Sequence, residues 1–181
     1  MTLTITYFPH GTTIDNENHI SSGRNDAPLS ALGIKQSQNL TQLIADKSFD
    51  AVFCSDMSRS IDSARLTFGD TLPIVIDPRL RECNYGTYNG QSSDIVEPLQ
   101  EQNITTRFPD GESYDDVKVR IEEFITSIKP AYNGKHIAIV AHKAPQIILD
   151  MIANHKTWEQ GFADDRRKTK SRQPGREYIL H

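Results

Sequence analysis

The sequence predicts an α/β fold, a three-layer α/β/α sandwich around a mostly parallel sheet, and three observations carry that expectation. Short β-branched or apolar runs alternate with longer segments of helical period, the pattern of strand–helix–strand units that place helices on both faces of a sheet. The run His136-Ile-Ala-Ile-Val-Ala141 is apolar enough for a strand covered on both faces. Ionisable residues, finally, follow directly on several of the predicted strands.

Taken in order, Thr2 to Phe8 is β-branched and aromatic and reads as the first strand, stopped at Pro9. Residues 9–29 are rich in Gly, Asn, Asp, Ser and Thr and read as a long loop, a length that usually carries function. Ser30 is placed to cap a helix to about Asp46 with the stripe Ser37, Leu40 and Ile44. Asp50 to Cys54 is a short strand, and Ser55 is expected to cap a second helix with Met57, Ile61, Ala64 and Phe68 on one face. Pro73 to Ile76 is a further strand, followed by a Gly- and Asn-rich stretch from Arg81 to Gly90. Residues 91–112 read as a weak helix and a polar loop. Ser113-x-x-Asp116 opens a helix with the stripe Val117, Ile121, Phe124, Ile125 and Ile128. After the Lys135–Ala141 strand, Ala144 to Asn154 is helical, with a turn or two near Trp158, and Tyr178-Ile-Leu180 suits an edge strand.

The 181 residues suit a single domain, 1–181, with a core over 1–155 and a basic tail over 156–181. A net charge of −4 gives no basic surplus for nucleic acid. No signal-like or membrane-length apolar run is present, and Cys54 and Cys83 match no C-x-x-C pattern, so the chain reads as a cytoplasmic protein with buried thiols. Arg166, Arg167, Lys168, Lys170, Arg172 and Arg176 cluster in the tail, which reads as a solvated segment; the alternative is a basic rim for an anionic substrate.

In open α/β sheets the site lies beyond the carboxyl ends of the strands. His10 follows the first strand, Arg59 sits in the first turn after the second, Glu82 opens the loop after the third, and His142 follows the Ile137–Ala141 run. Each taken singly has a bland reading as a solvated or ion-paired side chain. Their shared placement at strand ends marks them as one site.

The words His10-Gly11-x-Thr13, Asn16, Asp26-x-Pro28-Leu29-Ser30-x-x-Gly33-x-x-Gln36, Ser55-Asp56-x-x-Arg59-Ser60-x-x-Ser63-Ala64, Asp77-Pro78-Arg79-Leu80-Arg81-Glu82-x-Asn84-Tyr85-Gly86, Gly111-Glu112-Ser113 and Val140-Ala141-His142 occur in series. In these words and their order the chain resembles the histidine phosphatase (phosphoglycerate mutase-like) superfamily, from the first strand to about residue 150. The resemblance implies a phosphoglycerate mutase-like fold and hydrolysis of a small phosphorylated substrate through a phosphohistidine on His10. It implies that Arg59 clamps phosphate oxygens, that His142 adds a donor, and that Glu82 protonates the leaving oxygen and later activates water. Gly11, Asn16 and the Ser22-Gly23 backbone would supply neutral contacts, and no metal or organic cofactor is implied.

The pattern breaks where the family has Arg-His-Gly and this chain has Pro9-His10-Gly11, removing one guanidinium from the expected pocket. Arg24, where relatives often carry tryptophan, and Lys143 beside His142 are the candidate substitutes. Three alternatives stand beside an impaired phosphatase. These are an inactive relative that binds phosphorylated ligands or a protein partner, a mutase-type phosphoryl transfer that the short Gly90–Gly111 insertion disfavours, and a metal site of His10, Glu82 and His142 that lacks a local ligand motif.

Overall fold

The computed structural model describes residues 2–165 and 175–181. Strand β1 (Leu3–Pro9) is followed by a short helix α1 (Ile14–Glu17), strand β2 (Ile20–Ser21), helix α2 (Ala31–Leu43), strand β3 (Ala51–Cys54), helix α3 (Ser58–Phe68) and strand β4 (Ile74–Ile76). Two 3₁₀ turns, Pro78–Leu80 and Gly86–Tyr88, lead to β5 (Gln91–Ser92), α4 (Ser93–Gln102), α5 (Tyr114–Tyr132), β6 (His136–Ala141), α6 (Lys143–Asn154), α7 (Trp158–Ala163) and β7 (Arg176–Leu180). The main sheet runs β4-β3-β6-β1-β7. Its pairs are parallel except β1 with β7, which is antiparallel. A separate two-stranded piece joins β2 to β5.

The period-2 alternation of the strands sorts the core into two layers. Leu3, Ile5, Tyr7, Ala51, Phe53, Ile137, Ile139 and Ala141 pack with α5 and α6, while Phe8, Val52, Cys54, Ala138 and Val140 pack with Ala64 and Phe68 of α3. The mostly parallel sheet flanked by helices is thus as expected. Several local readings are not. The 9–29 loop contains α1 and β2, because Thr13 and Asn16 close a capping box that nucleates a turn. Ser55 does not cap α3: Met57 is its N-cap and makes no side-chain cap bond, since the Ser55 hydroxyl points elsewhere. The supposed tail carries Phe162 of α7 and Tyr178 and Leu180 of β7 into the core, and Arg176 pairs with buried Asp150 at 2.8 Å. The basic cluster from Arg166 to Arg172 lies outside the described residues. Cys54 and Cys83 are free and buried, and burial pushes the Cys54 thiol up to about 11 and the Cys83 thiol further.

The turn after β1 is held rigidly. His10 N–H donates to Ala141 O, Gly11 N–H to Ser63 Oγ, Thr12 N–H to Gln36 Oε1 and Thr13 N–H to Asn16 Oδ1, so each buried donor is satisfied. Successive N–H groups of a strand point to opposite sides. That of His10 goes to β6, so the Pro9 nitrogen faces the β7 side, where pairing has ended at Tyr7 with Arg176, and proline costs no ladder bond there. The turn also lies against the first turn of α2 through two glycines. A Cβ on Gly33 would stand 2.0 Å from Thr12 O, and one on Gly11 2.5 Å from Gly33 O. Gly33→Ala is therefore expected to destabilise by about 3 kcal/mol through overpacking. Thermal unfolding should show a midpoint lower by roughly 6–12 °C; an unchanged midpoint would mean that the turn yields freely.

Candidate active site

Strand order decides which side chains meet. β3, β6 and β1 are neighbours, so their carboxyl ends deliver Ser55, His142 and His10 side by side. The rings of His10 and His142 lie 5.0 Å apart, centroid to centroid. His10 Nδ1 is 2.7 Å from Gly11 O. A carbonyl oxygen only accepts, so the ring proton sits on Nδ1 and Nε2 keeps its lone pair. His142 is 1 % exposed and is the N-cap of α6. Its carbonyl accepts from Tyr7 Oη at 2.7 Å, and its Nε2 is 2.6 Å from Ser55 Oγ.

Arg59 is 2 % exposed, with NH1 donating to Asn25 O and NH2 to Gly23 O, both at 2.8 Å. Burial pulls its pKa below the usual arginine value, and Glu82, Asp26 and Asp15 oppose that. Gly23 is at φ 55, and a Cβ there would meet Asn89 Oδ1 at 2.0 Å, so glycine is required for this carbonyl to reach the guanidinium. The buried Glu82 carboxylate accepts three backbone N–H groups: Cys83 at 2.8 Å, Lys143 at 2.9 Å and Ala144 at 3.0 Å. It thereby takes up two of the donors that the start of α6 would otherwise leave unpaired.

The remaining sequence-predicted residues divide. Arg24 is brought to the Glu82 segment: its Nε donates to Glu82 O at 2.9 Å and its NH2 pairs with Glu112 at 3.1 Å. Lys143 gives its backbone N–H to Glu82, but its Nζ is held by buried Asp165 at 3.1 Å. Gly11 is engaged through its backbone alone, Asn16 is exposed and spends Oδ1 on the α1 cap, and Ser22 donates to Asp15 at 2.7 Å. Among the described residues no group of three or more His, Cys, Asp or Glu could hold a metal ion.

Reading the residues for chemistry missed three kinds of supporting group. Ser60 and Ser63 lie one helical turn apart on the buried face of α3, a spacing that could have signalled them. Tyr7 needed a hydroxyl partner once Ile5 and Tyr7 shared a core face. Glu112 stood in the Gly111-Glu112-Ser113 word without a partner being named, and Arg120 had no signal beyond charge. They meet because Glu112 accepts from Arg120 Nε at 3.0 Å, while Arg120 also donates to Arg81 O at 2.8 Å and Glu82 O at 3.2 Å.

One edge of the α/β sheet thus carries two imidazoles, a buried guanidinium and a buried carboxylate. A model of the histidine phosphatase superfamily (branch 1) matches residues 8–162, and the chain belongs to that superfamily. It is 32% identical over 149 residues to the adenosylcobalamin/alpha-ribazole phosphatase of Escherichia coli K12, covering 77% of this chain and 73% of that one. It is 30% identical over 142 residues to a Yersinia pestis protein named "Probable phosphoglycerate mutase GpmB", covering 74% and 66%. The crystal structure of the alpha-ribazole phosphatase from Shigella flexneri superposes with a TM-score of 0.75 at 29% identity, over 90% of this chain and 84% of that one. Among the described residues no helix is long and apolar enough to cross a membrane.

Burial alone pushes the Glu112 carboxyl up, but the Arg120 guanidinium, the Asn84 N–H and Arg24 together hold it below its usual 4.5. A depressed folded value stabilises above the unfolded one and is lost as pH falls through it. Glu112→Gln should therefore destabilise at pH 7 and flatten the acid limb below pH 4.5. Denaturant titrations at pH 7 and pH 3 check this, and an equal loss at both would assign Glu112 to packing.

Proposed function

We propose that the chain is a phosphomonoester hydrolase acting on a small phosphorylated substrate through a phosphohistidine on His10. The observation that carries this reading is the pairing of His10 and His142 5.0 Å apart, with the His10 ring proton held on Nδ1 by Gly11 O so that Nε2 carries the lone pair that attacks. Nε2 forms a bond to phosphorus in line with the leaving oxygen, and the bond to that oxygen breaks. Glu82 gives it a proton. Water then attacks the phosphohistidine, Glu82 takes its proton, the N–P bond breaks and phosphate leaves. Arg59 is the buried cation for the dianion; substrate oxygens would replace its present carbonyl partners, Gly23 O and Asn25 O.

The absent second arginine weakens this site in our reading. Proline offers neither charge nor N–H, and one preorganised donor is worth on the order of 3 kcal/mol in the transition state. Lys143 is the poorer substitute, because turning to the phosphate would give up its ion pair with buried Asp165 at 3.1 Å. Arg24 already lies against the Glu82 segment and is the better one. The relatives named as phosphatase and as mutase bracket the reaction class, and the short segment between Gly90 and Gly111 favours hydrolysis over transfer back to a retained product.

His10→Ala should abolish turnover of p-nitrophenyl phosphate; activity that survives it would exclude the phosphohistidine. Glu82→Gln should slow alkyl phosphates far more than p-nitrophenyl phosphate, whose leaving group needs little protonation, and equal losses would remove Glu82 from proton transfer.

Pro9→Arg should raise kcat/KM by roughly 10²-fold with little change in stability. Steady-state kinetics of both proteins at matched pH check it. No gain, together with loss on Arg24→Ala, would show that Arg24 already serves as the second guanidinium.

A further inference from the structure

We propose that Ser55 is a positioning residue that sets the tautomer of His142, so that His142 meets the phosphoryl group as an Nδ1–H donor. The role toward the phosphoryl group rests on the phosphatase reading above; the tautomer does not. Ser55 leaves β3 as His142 leaves the adjacent β6, and the two side chains meet at 2.6 Å although 87 residues separate them in sequence. Both are buried, Ser55 completely.

The neighbours suit the direction proposed. Met57 N–H, which can only donate, reaches Ser55 Oγ at 3.4 Å and takes one of its two lone pairs, and the single hydroxyl proton is left for the ring. Ser55 donating to Nε2 makes that nitrogen the acceptor, and a neutral imidazole then carries its proton on Nδ1. The two histidines are thus set in the same Nδ1–H tautomer, but by short contacts at different ring nitrogens, so that each leaves a different nitrogen for the phosphoryl group. Gly11 O holds the proton of His10 on Nδ1 and leaves Nε2 as the nucleophile, whereas Ser55 occupies Nε2 of His142 and leaves Nδ1–H as the donor.

Neither partner can drift. Ser55 N–H is fixed to Ser60 Oγ at 3.1 Å, Ser60 Oγ in turn donates to Val140 O at 2.6 Å, and His142 O is held by Tyr7. A hydroxyl orients the ring without adding a negative charge near a site that must receive a dianion. A carboxylate in its place would orient as well but repel the substrate.

The test combines a spectroscopic and a kinetic reading. In long-range ¹H–¹⁵N spectra of the unliganded, histidine-labelled protein, with His142 assigned by its loss in His142→Gln, the wild type should show the Nδ1–H pattern. Ser55→Ala should move it toward Nε2–H, and Ser55→Thr, which keeps the hydroxyl, should restore it. With p-nitrophenyl phosphate, Ser55→Ala should lose about 10- to 100-fold, mainly in kcat, and Ser55→Thr should recover most of it. An Nε2–H pattern in the wild type overturns the proposal, as does an unchanged tautomer in Ser55→Ala. Equal kinetic losses in the Ala and Thr variants with the tautomer intact likewise overturn it and assign Ser55 to packing. A wild type with the Nδ1–H pattern but no turnover overturns the phosphatase reading and leaves the tautomer assignment standing.

Discussion

The turn that presents His10 must bury its own backbone while leaving the imidazole uncovered, and the hydroxyls of α3 make this possible. Ser63 Oγ accepts Gly11 N–H at 2.9 Å and donates its own proton to Arg59 O at 2.7 Å, so one side chain ties the His10 turn to the helix that carries the buried arginine. One turn earlier Ser60 does the same for the other strands, joining Ser55 N–H to Val140 O. A hydroxyl can accept and donate at once, and it is small enough for a helix to lie close against strand ends. Leaving either N–H buried without a partner costs about 1–3 kcal/mol and frees the strand end that carries the site.

Charge is handled by the same economy of partners. Arg59 and Glu82 are both buried, yet they are not paired with each other within hydrogen-bonding reach: the arginine is held by carbonyls, the glutamate by N–H groups. Backbone dipoles supply the close partners of each group, and the nearest carboxylate oxygen to the guanidinium, Asp26 Oδ1, stands at 3.9 Å. Around them Glu112 binds Arg24 and Arg120, and these two guanidinia converge on Glu82 O. The loop that carries Glu82 is therefore fixed by two guanidinia that share Glu112 as their carboxylate partner.

Much of this was legible in the chain. The alternation of Leu3, Ile5 and Tyr7 against Phe8, and the apolar run of β6, announced a sheet covered on both faces because burial leaves a period-2 or continuous record. The capping box of Ser113 and Asp116 was readable because both partners lie within four residues. His10, Arg59, Glu82 and His142 could be named because each directly follows a predicted strand or opens the helix or loop after it, and family words surround each. Ser55 was misread as a helix cap, since local spacing favoured that bond and its true partner is 87 residues away.

The sequence by itself determined the kinds of element, their faces and the histidine-phosphatase series of words, including the proline where the family carries arginine. Those properties depend on residue type and short-range spacing. The tertiary structure alone decided that Lys143 turns to Asp165 while Arg24 turns to Glu82 and Glu112, and that the edge strand at 176–180 pairs antiparallel with β1. It also decided which nitrogen of each histidine is spent. Strand order brings these partners together, and strand order is a non-local outcome of packing: β6 lies between β1 and β3 because its two apolar faces are best covered there, and no spacing along the chain records that choice.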